Sequence, residues 1–212
     1  MPGPAVAAIA LAGVFAVGDW VARARGRRLL EYVCKPSTTA GLVAFAAVLD
    51  PASGLGTRRG WFVAALALSL VGDVELMLPG DRFVAGLVAF LAAHLCYVVG
   101  FFLPGPSPAG LAAAAVVVVL LVLPVFRHIL AALGEHSRLR GALTVYVAVI
   151  SVMVATALAS GSAFAAVGAV LFALSDGMIA WERFVGSFRA APVAIMVTYH
   201  LGQAGLALSL LH

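Results

Sequence analysis

Eight apolar runs, each about twenty residues long, set the strongest limit on what this chain can fold into. They fall near residues 4–22, 31–49, 60–78, 82–103, 109–126, 140–160, 163–181 and 190–211, separated by charge or by Pro and Gly. The runs are continuous rather than alternating. In lipid every backbone N–H and C=O must be satisfied inside the protein, so the pattern predicts helices rather than barrel strands. Hydrophobic residues make up 64% of the chain and charged ones 10%, against about a quarter charged in ordinary soluble domains. The expectation is a single all-α transmembrane helical domain over residues 1–212.

The first run lacks a preceding basic stretch, and Arg23, Arg25, Arg27 and Arg28 follow it, so it reads as a retained helix rather than a cleaved signal. A formal charge of +4 does not point to nucleic acid, because the arginines sit at span ends with no solvated basic domain around them. Arg82, Arg127, Arg138, Arg140, Arg183 and Arg189 lie in the other odd-numbered loops, whereas the even-numbered loops offer only Arg58 and Arg59. The positive-inside rule then places the odd loops in the cytoplasm and both termini outside, as in a bacterial inner-membrane protein. Cys34 and Cys96 fall inside predicted helices and read as small packing residues, without disulfide or metal-ligand spacing.

Ionisable residues within such runs are function candidates. A mid-bilayer Asp costs about 2.5–3.5 kcal/mol on insertion scales. Asp73 and Glu75 lie near the end of the third run, Pro79-Gly80 marks a turn, and His94 sits deep in the fourth. Asp176 lies near the end of the seventh run and Lys35 near the start of the second. In the expected topology Asp73, Asp176 and Lys35 share a layer about 8–10 Å below the cytoplasmic boundary. Asp19 could join that layer or sit among the headgroups.

Glu75 points about 200° round the helix from Asp73, so the two carboxylates do not form a dyad. Arg183 follows Asp176 by seven residues on the same face, and a buried pair of Asp176 with Lys35 or an arginine is the competing structural reading. Lys35, Ser37 and Thr38, beside Pro36 in a first helical turn, could hold a phosphate or carboxylate, or Lys35 could simply snorkel. His94 with Tyr97, and Tyr199 with His200 and Gln203, suggest a polar pocket at similar depth. No HExxH metal motif, GxSxG elbow or phosphate-cradling glycine loop occurs, and no cofactor is implied. His128, Glu135 and His136 read as a solvated loop, and terminal His212 carries no inference. A weak similarity between LSLVGDVEL with DRFVAG and FALSDGMI with ERFVG suggests a parallel four-plus-four repeat.

Several of these residues together carry a resemblance. Lys35-Pro36-Ser37-Thr38-Thr39, Gly72-Asp73-x-x-Leu76, Phe83-x-x-Gly86-Leu87-x-x-Phe90-x-x-Ala93-His94-x-x-Tyr97, Ser175-Asp176 and Tyr199-x-x-x-Gln203 resemble the YhhN-like lysoplasmalogenase family. The resemblance implies an eight-span hydrolase of the vinyl ether bond of lysoplasmalogens, releasing a fatty aldehyde and glycerophosphocholine or glycerophosphoethanolamine. It carries over Lys35, Asp73, His94, Asp176, Tyr199 and Gln203 as site candidates. His200 stands where a second Tyr is expected and Ser37 where Leu is common.

The residues fit that chemistry independently. Protonating the vinyl carbon remote from the ether oxygen gives an oxocarbenium ion that water captures, which requires a proton-bearing acid and a nearby anion. Two carboxylates in a poorly solvated layer can divide those roles between them. The expectation is therefore catalysis by Asp73, Asp176 and His94. Lys35, Thr38, Tyr199, Gln203, Glu75, His200 and Arg183 would contact a lysophospholipid substrate among membrane lipids, Lys35 taking the phosphate. A small transporter or proton-coupled channel, or a non-catalytic lipid-binding protein, would use the same buried layer differently.

Overall fold

The computed structural model describes residues 1–103, 105–134 and 138–211; Glu135, His136 and His212 lie outside them. The described residues form eight helices and no strand: α1 (Gly3–Ala24), α2 (Arg28–Val48), α3 (Gly56–Met77), α4 (Phe83–Phe102), α5 (Pro108–Leu133), α6 (Leu139–Ala159), α7 (Ala163–Phe184) and α8 (Ala191–Leu208), with a last 3₁₀ turn at Ser209–Leu211. Seven are long and apolar enough to cross a membrane. The eighth, α2, spends its first half on Glu31, Lys35, Pro36, Ser37, Thr38 and Thr39, which lowers its hydropathy. Of these, Lys35, Thr38 and Thr39 are buried in the bundle, and Glu31, Pro36 and Ser37 are half-buried.

The turn expected at Pro79-Gly80 is present, with Gly80 at φ +98°, a conformation in which glycine is at ease. Several helices begin or end a few residues from the expected positions, among them the third, which starts at Gly56, and the seventh, which ends at Phe184. The second starts at Arg28, so Pro36 lies inside it, and Lys35 and Thr38 are not at a helix N-terminus with free N–H groups. The fifth continues through Pro124 to Leu133. His128 therefore rides on a helix and stacks on Trp181 of α7, centroids 4.9 Å apart, instead of lying in a loop.

Sequential neighbours other than α4 and α5 pack against each other, and α8 is the hub, touching α1, α2, α3 and α7. By contrast α5 packs mainly on α6 and α7 and is otherwise exposed. Glycines allow the closest crossings. A Cβ built on Gly168 would lie 2.6 Å from the Leu206 backbone N, and one on Gly202 would lie 2.8 Å from that of Phe172. Small residues of this kind let membrane helices meet backbone to backbone. Because backbone cannot step aside, Gly202→Ala is expected to cost about 1–3 kcal/mol and to lower the thermal unfolding midpoint in detergent. An unchanged midpoint would refute this contact.

Candidate active site

Asp73 faces inward on the same side of α3 as Ser69, Leu66 and Phe62, all fully buried. Gly72 beside it leaves room for the ring of Phe90 on α4. The carboxylate is 1% exposed and amply partnered. Lys35 Nζ lies 3.5 Å from Oδ1 and donates to the Asp73 carbonyl at 3.4 Å. Thr39 Oγ1 and the Tyr199 hydroxyl donate to Oδ2 at 2.6 and 2.8 Å. Gln203 Nε2 reaches Tyr199 at 3.5 Å, and Tyr97 donates to Gln203 Oε1 at 2.6 Å. A polar chain thus ties α2, α3, α4 and α8 together.

Asp176 anchors a second cluster. The Tyr146 hydroxyl donates to its Oδ2 at 2.5 Å, and His94 Nε2 lies 3.5 Å from the same oxygen. His94 Nδ1 is 2.6 Å from the Phe90 carbonyl, which only accepts, so Nδ1 carries the hydrogen. Nε2 of a neutral ring is then a lone pair aimed at a carboxylate oxygen. The two acceptors lie 3.5 Å apart and Nε2 has no hydrogen-bond partner among the described residues, so a proton placed between them would resolve the conflict.

Asp176 also lines an apolar cleft of about 320 Å³ between α4, α5, α6 and α7, with Leu87, Phe90, Val118, Phe126, Ile150 and Trp181 among its walls. It is the only ionisable carboxylate among the described lining residues. Small-molecule sites are typically apolar hollows of this order with few polar groups.

The two clusters occupy one band. Counted along their helices at 1.5 Å per residue, Asp73, Lys35 and Asp176 lie about 6, 10 and 12 Å from the ends on the odd-loop side. Phe90, Phe172 and Tyr199 stand between the clusters, their ring centroids 5.5–6.1 Å apart, with His94 tilted on Phe172 at 4.6 Å. Among the described residues no hydrogen bond or ion pair joins Asp73 to Asp176.

Other expected residues are placed as follows. Asp176 pairs with neither Lys35 nor Arg183, which removes the structural pairing considered for it. Lys35 is 5% exposed and absorbed by Asp73, a poor position from which to hold a lipid phosphate. Thr38 donates to the Cys34 carbonyl within its own helix. His200 points away from Asp73 and accepts from Trp20 Nε1 at 3.2 Å on α1, because one residue along a helix is a 100° turn. Glu75 binds Arg82 Nε at 2.8 Å, and Arg183 Nη2 binds Asp81. That donation holds the Asp81 carboxyl below the usual aspartate range. Asp19 is fully buried on α1, close enough to Lys35 and Asp73 to interact with them electrostatically, though its carboxylate oxygens make no hydrogen bond among the described residues.

Sequence reasoning missed Tyr146, whose signal was a tyrosine inside an apolar span, since a buried hydroxyl needs a partner. Among the described residues no group of three or more His, Cys, Asp or Glu side chains is arranged to hold a metal ion.

Comparison with known proteins adds an independent line. The YhhN family matches residues 30–210. A lysoplasmalogenase of Mycobacterium tuberculosis is 38% identical over 82% of this chain and 67% of its own length. Lysoplasmalogenase TMEM86B of Sus scrofa is 35% identical over 79% of this chain and 70% of its own, and that of Homo sapiens 34% over 80% and 70%. No solved structure matches.

Proposed function

We propose, for a chain that belongs to the YhhN family, hydrolysis of the vinyl ether bond of a lysoplasmalogen in the cleft between α4, α5, α6 and α7. The observation that carries this reading is the pair of acceptors, Asp176 Oδ2 and His94 Nε2, that needs a proton at the wall of an otherwise apolar cleft. The alkenyl chain lies in the cleft and presents its double bond to Asp176.

The proton held between Asp176 and His94 passes to the vinyl carbon remote from the ether oxygen. The π pair of the double bond forms the new C–H bond, and a lone pair of the ether oxygen is donated to the adjacent carbon, giving an oxocarbenium ion whose positive charge the nearby carboxylate stabilises. Water then adds to the ether-bearing carbon, and one of its protons returns to Asp176 and His94. The hemiacetal collapses: its carbon–oxygen bond to glycerol breaks, the hydroxyl proton goes to the glycerol oxygen, and the aldehyde leaves. Tyr146 keeps the carboxylate aimed through its hydroxyl.

Asp73 acts behind the aromatic wall as a positioning residue. With Lys35, Thr39 and Tyr199 it fixes α2, α3 and α8 against Phe90 and Phe172, which set the ring of His94. Tyr199 and Gln203 belong to that scaffold. The arginine asymmetry supports an inner-membrane orientation with both termini outside and this layer toward the cytoplasm.

The test is mass spectrometry of purified protein incubated in detergent with choline or ethanolamine lysoplasmalogen, beside the saturated alkyl ether analogue. Aldehyde from the vinyl ether alone is the expected result. Passage of the lipid across liposomes without covalent change would replace the hydrolase reading with transport.

A further inference from the structure

We propose that Arg82 and Arg183 form the subsite for the phosphodiester of the lipid whose chain occupies the cleft. The proposal rests on the reading above for the placement of the chain. A polar vestibule of about 370 Å³ lies over the cleft, lined by Gly80, Asp81, Arg82 and Arg183 and sharing Leu76 and Phe83 with it. The two spaces therefore adjoin at Leu76 and Phe83, one apolar and the other charged.

Geometry along α7 sets the distance. Arg183 lies seven residues after Asp176, back on nearly the same face and about 10 Å nearer the helix end. In a lysoplasmalogen, seven bonds separate the protonated vinyl carbon from phosphorus, about 8 Å at the roughly 1.2 Å per bond of an extended chain. A double bond at Asp176 thus brings the phosphate within reach of the Arg183 side chain. Lys35, enclosed with Asp73, is not at that mouth.

Both guanidiniums have donors to spare. Arg82 uses Nε for Glu75, and Arg183 uses Nη2 for Asp81 while its guanidinium lies over the Phe83 ring at 5.1 Å. Their side chains are 46% and 43% exposed. Exposed ion pairs of this kind contribute little, whereas an arginine fork matches phosphate oxygens two at a time. A phosphate can bind the remaining N–H groups or displace an acid.

The two acids also select the source of the phosphate. Two arginines beside Asp81 and Glu75 leave the vestibule near neutral, so a free anion gains little there. A phosphate tethered to a chain already lying in the cleft gains the high effective concentration of its second contact. The ligand is accordingly a lysophospholipid headgroup rather than soluble phosphate. Arginines that serve only as membrane anchors would not distinguish a lipid with phosphate from one without.

The experiment measures binding to the whole protein in detergent, using two lipids that lack the vinyl bond, 1-O-hexadecyl-lysophosphatidylethanolamine and 1-O-hexadecylglycerol. Wild type is expected to bind the phospholipid at least about tenfold tighter, as charge-assisted hydrogen bonds would give. The R82Q/R183Q double variant is expected to close that gap while still binding the alkylglycerol, which also reports that it is folded. An unchanged gap, equal weakening of both lipids, or full competition by millimolar inorganic phosphate would overturn the subsite. Aldehyde release from a lysoplasmalogen is measured on the same wild-type sample. If the gap closes in the variant but no aldehyde forms, the subsite stands and the hydrolase reading fails.

Discussion

Asp176→Asn is expected to lower aldehyde release by about 10²–10⁴-fold, the range associated with losing a positioned general acid, while the protein stays folded. An amide at this position can still accept from the Tyr146 hydroxyl through its oxygen, so the hydrogen bond that holds the side chain in place survives. What it cannot do is give up a proton to carbon. The unfolding midpoint should therefore move by no more than about 4 °C, the scale of 1 kcal/mol in a chain of this size. Activity and unfolding measured on the same sample check both parts. Full turnover by the variant would remove Asp176 from the mechanism.

Asp73 responds differently. Asp73→Leu strands Lys35, 5% exposed, as a buried charge without its counterion, and removes the acceptor for Thr39 and Tyr199. Breaking one side of a buried pair costs about 3–5 kcal/mol, whereas replacing both partners by apolar groups is often neutral. The single variant is therefore expected to unfold at a much lower temperature, and Lys35→Met combined with Asp73→Leu to recover most of that loss. If the double variant is no more stable than the single, Lys35 and Asp73 do not act as a pair. Restored folding also tests the assigned role, since aldehyde release should return in part if Asp73 only positions the wall and His94.

The helices were legible because lipid permits so little else: continuous apolar runs of this length must be helical, and Pro79-Gly80 had to turn. The extent of α5 was not legible. Pro124, Arg127 and His128 look like an ending, and the stacking of His128 on Trp181 comes from a helix distant in sequence. In the site, Asp73, His94, Asp176, Tyr199 and Gln203 stood out through the cost of burying them. Their partners did not, because periodicity gives the face a residue occupies and not the helix opposite.

Asp73, Lys35 and Asp176 lie at comparable distances from their helix ends, yet sharing a layer did not bring the two carboxylates together. The rings of Phe90 and Phe172 that divide them look like ordinary core in the sequence. His200 was drawn into the pocket by its neighbour Tyr199, although adjacent helical residues diverge by 100° and it faces Trp20 instead. Lys35 looked like a phosphate ligand while Pro36 was read as a helix start. With α2 beginning at Arg28, the lysine is one to two turns further in, alongside Asp73.

The most direct test of proton transfer from the Asp176–His94 pair to the vinyl carbon is hydrolysis in D₂O, with the released aldehyde analysed by mass spectrometry before it can exchange. The shared proton equilibrates with solvent between turnovers, so the account predicts one deuterium on the carbon next to the carbonyl and loss of that product in Asp176→Asn. Aldehyde formed by the enzyme without deuterium at that carbon would contradict it.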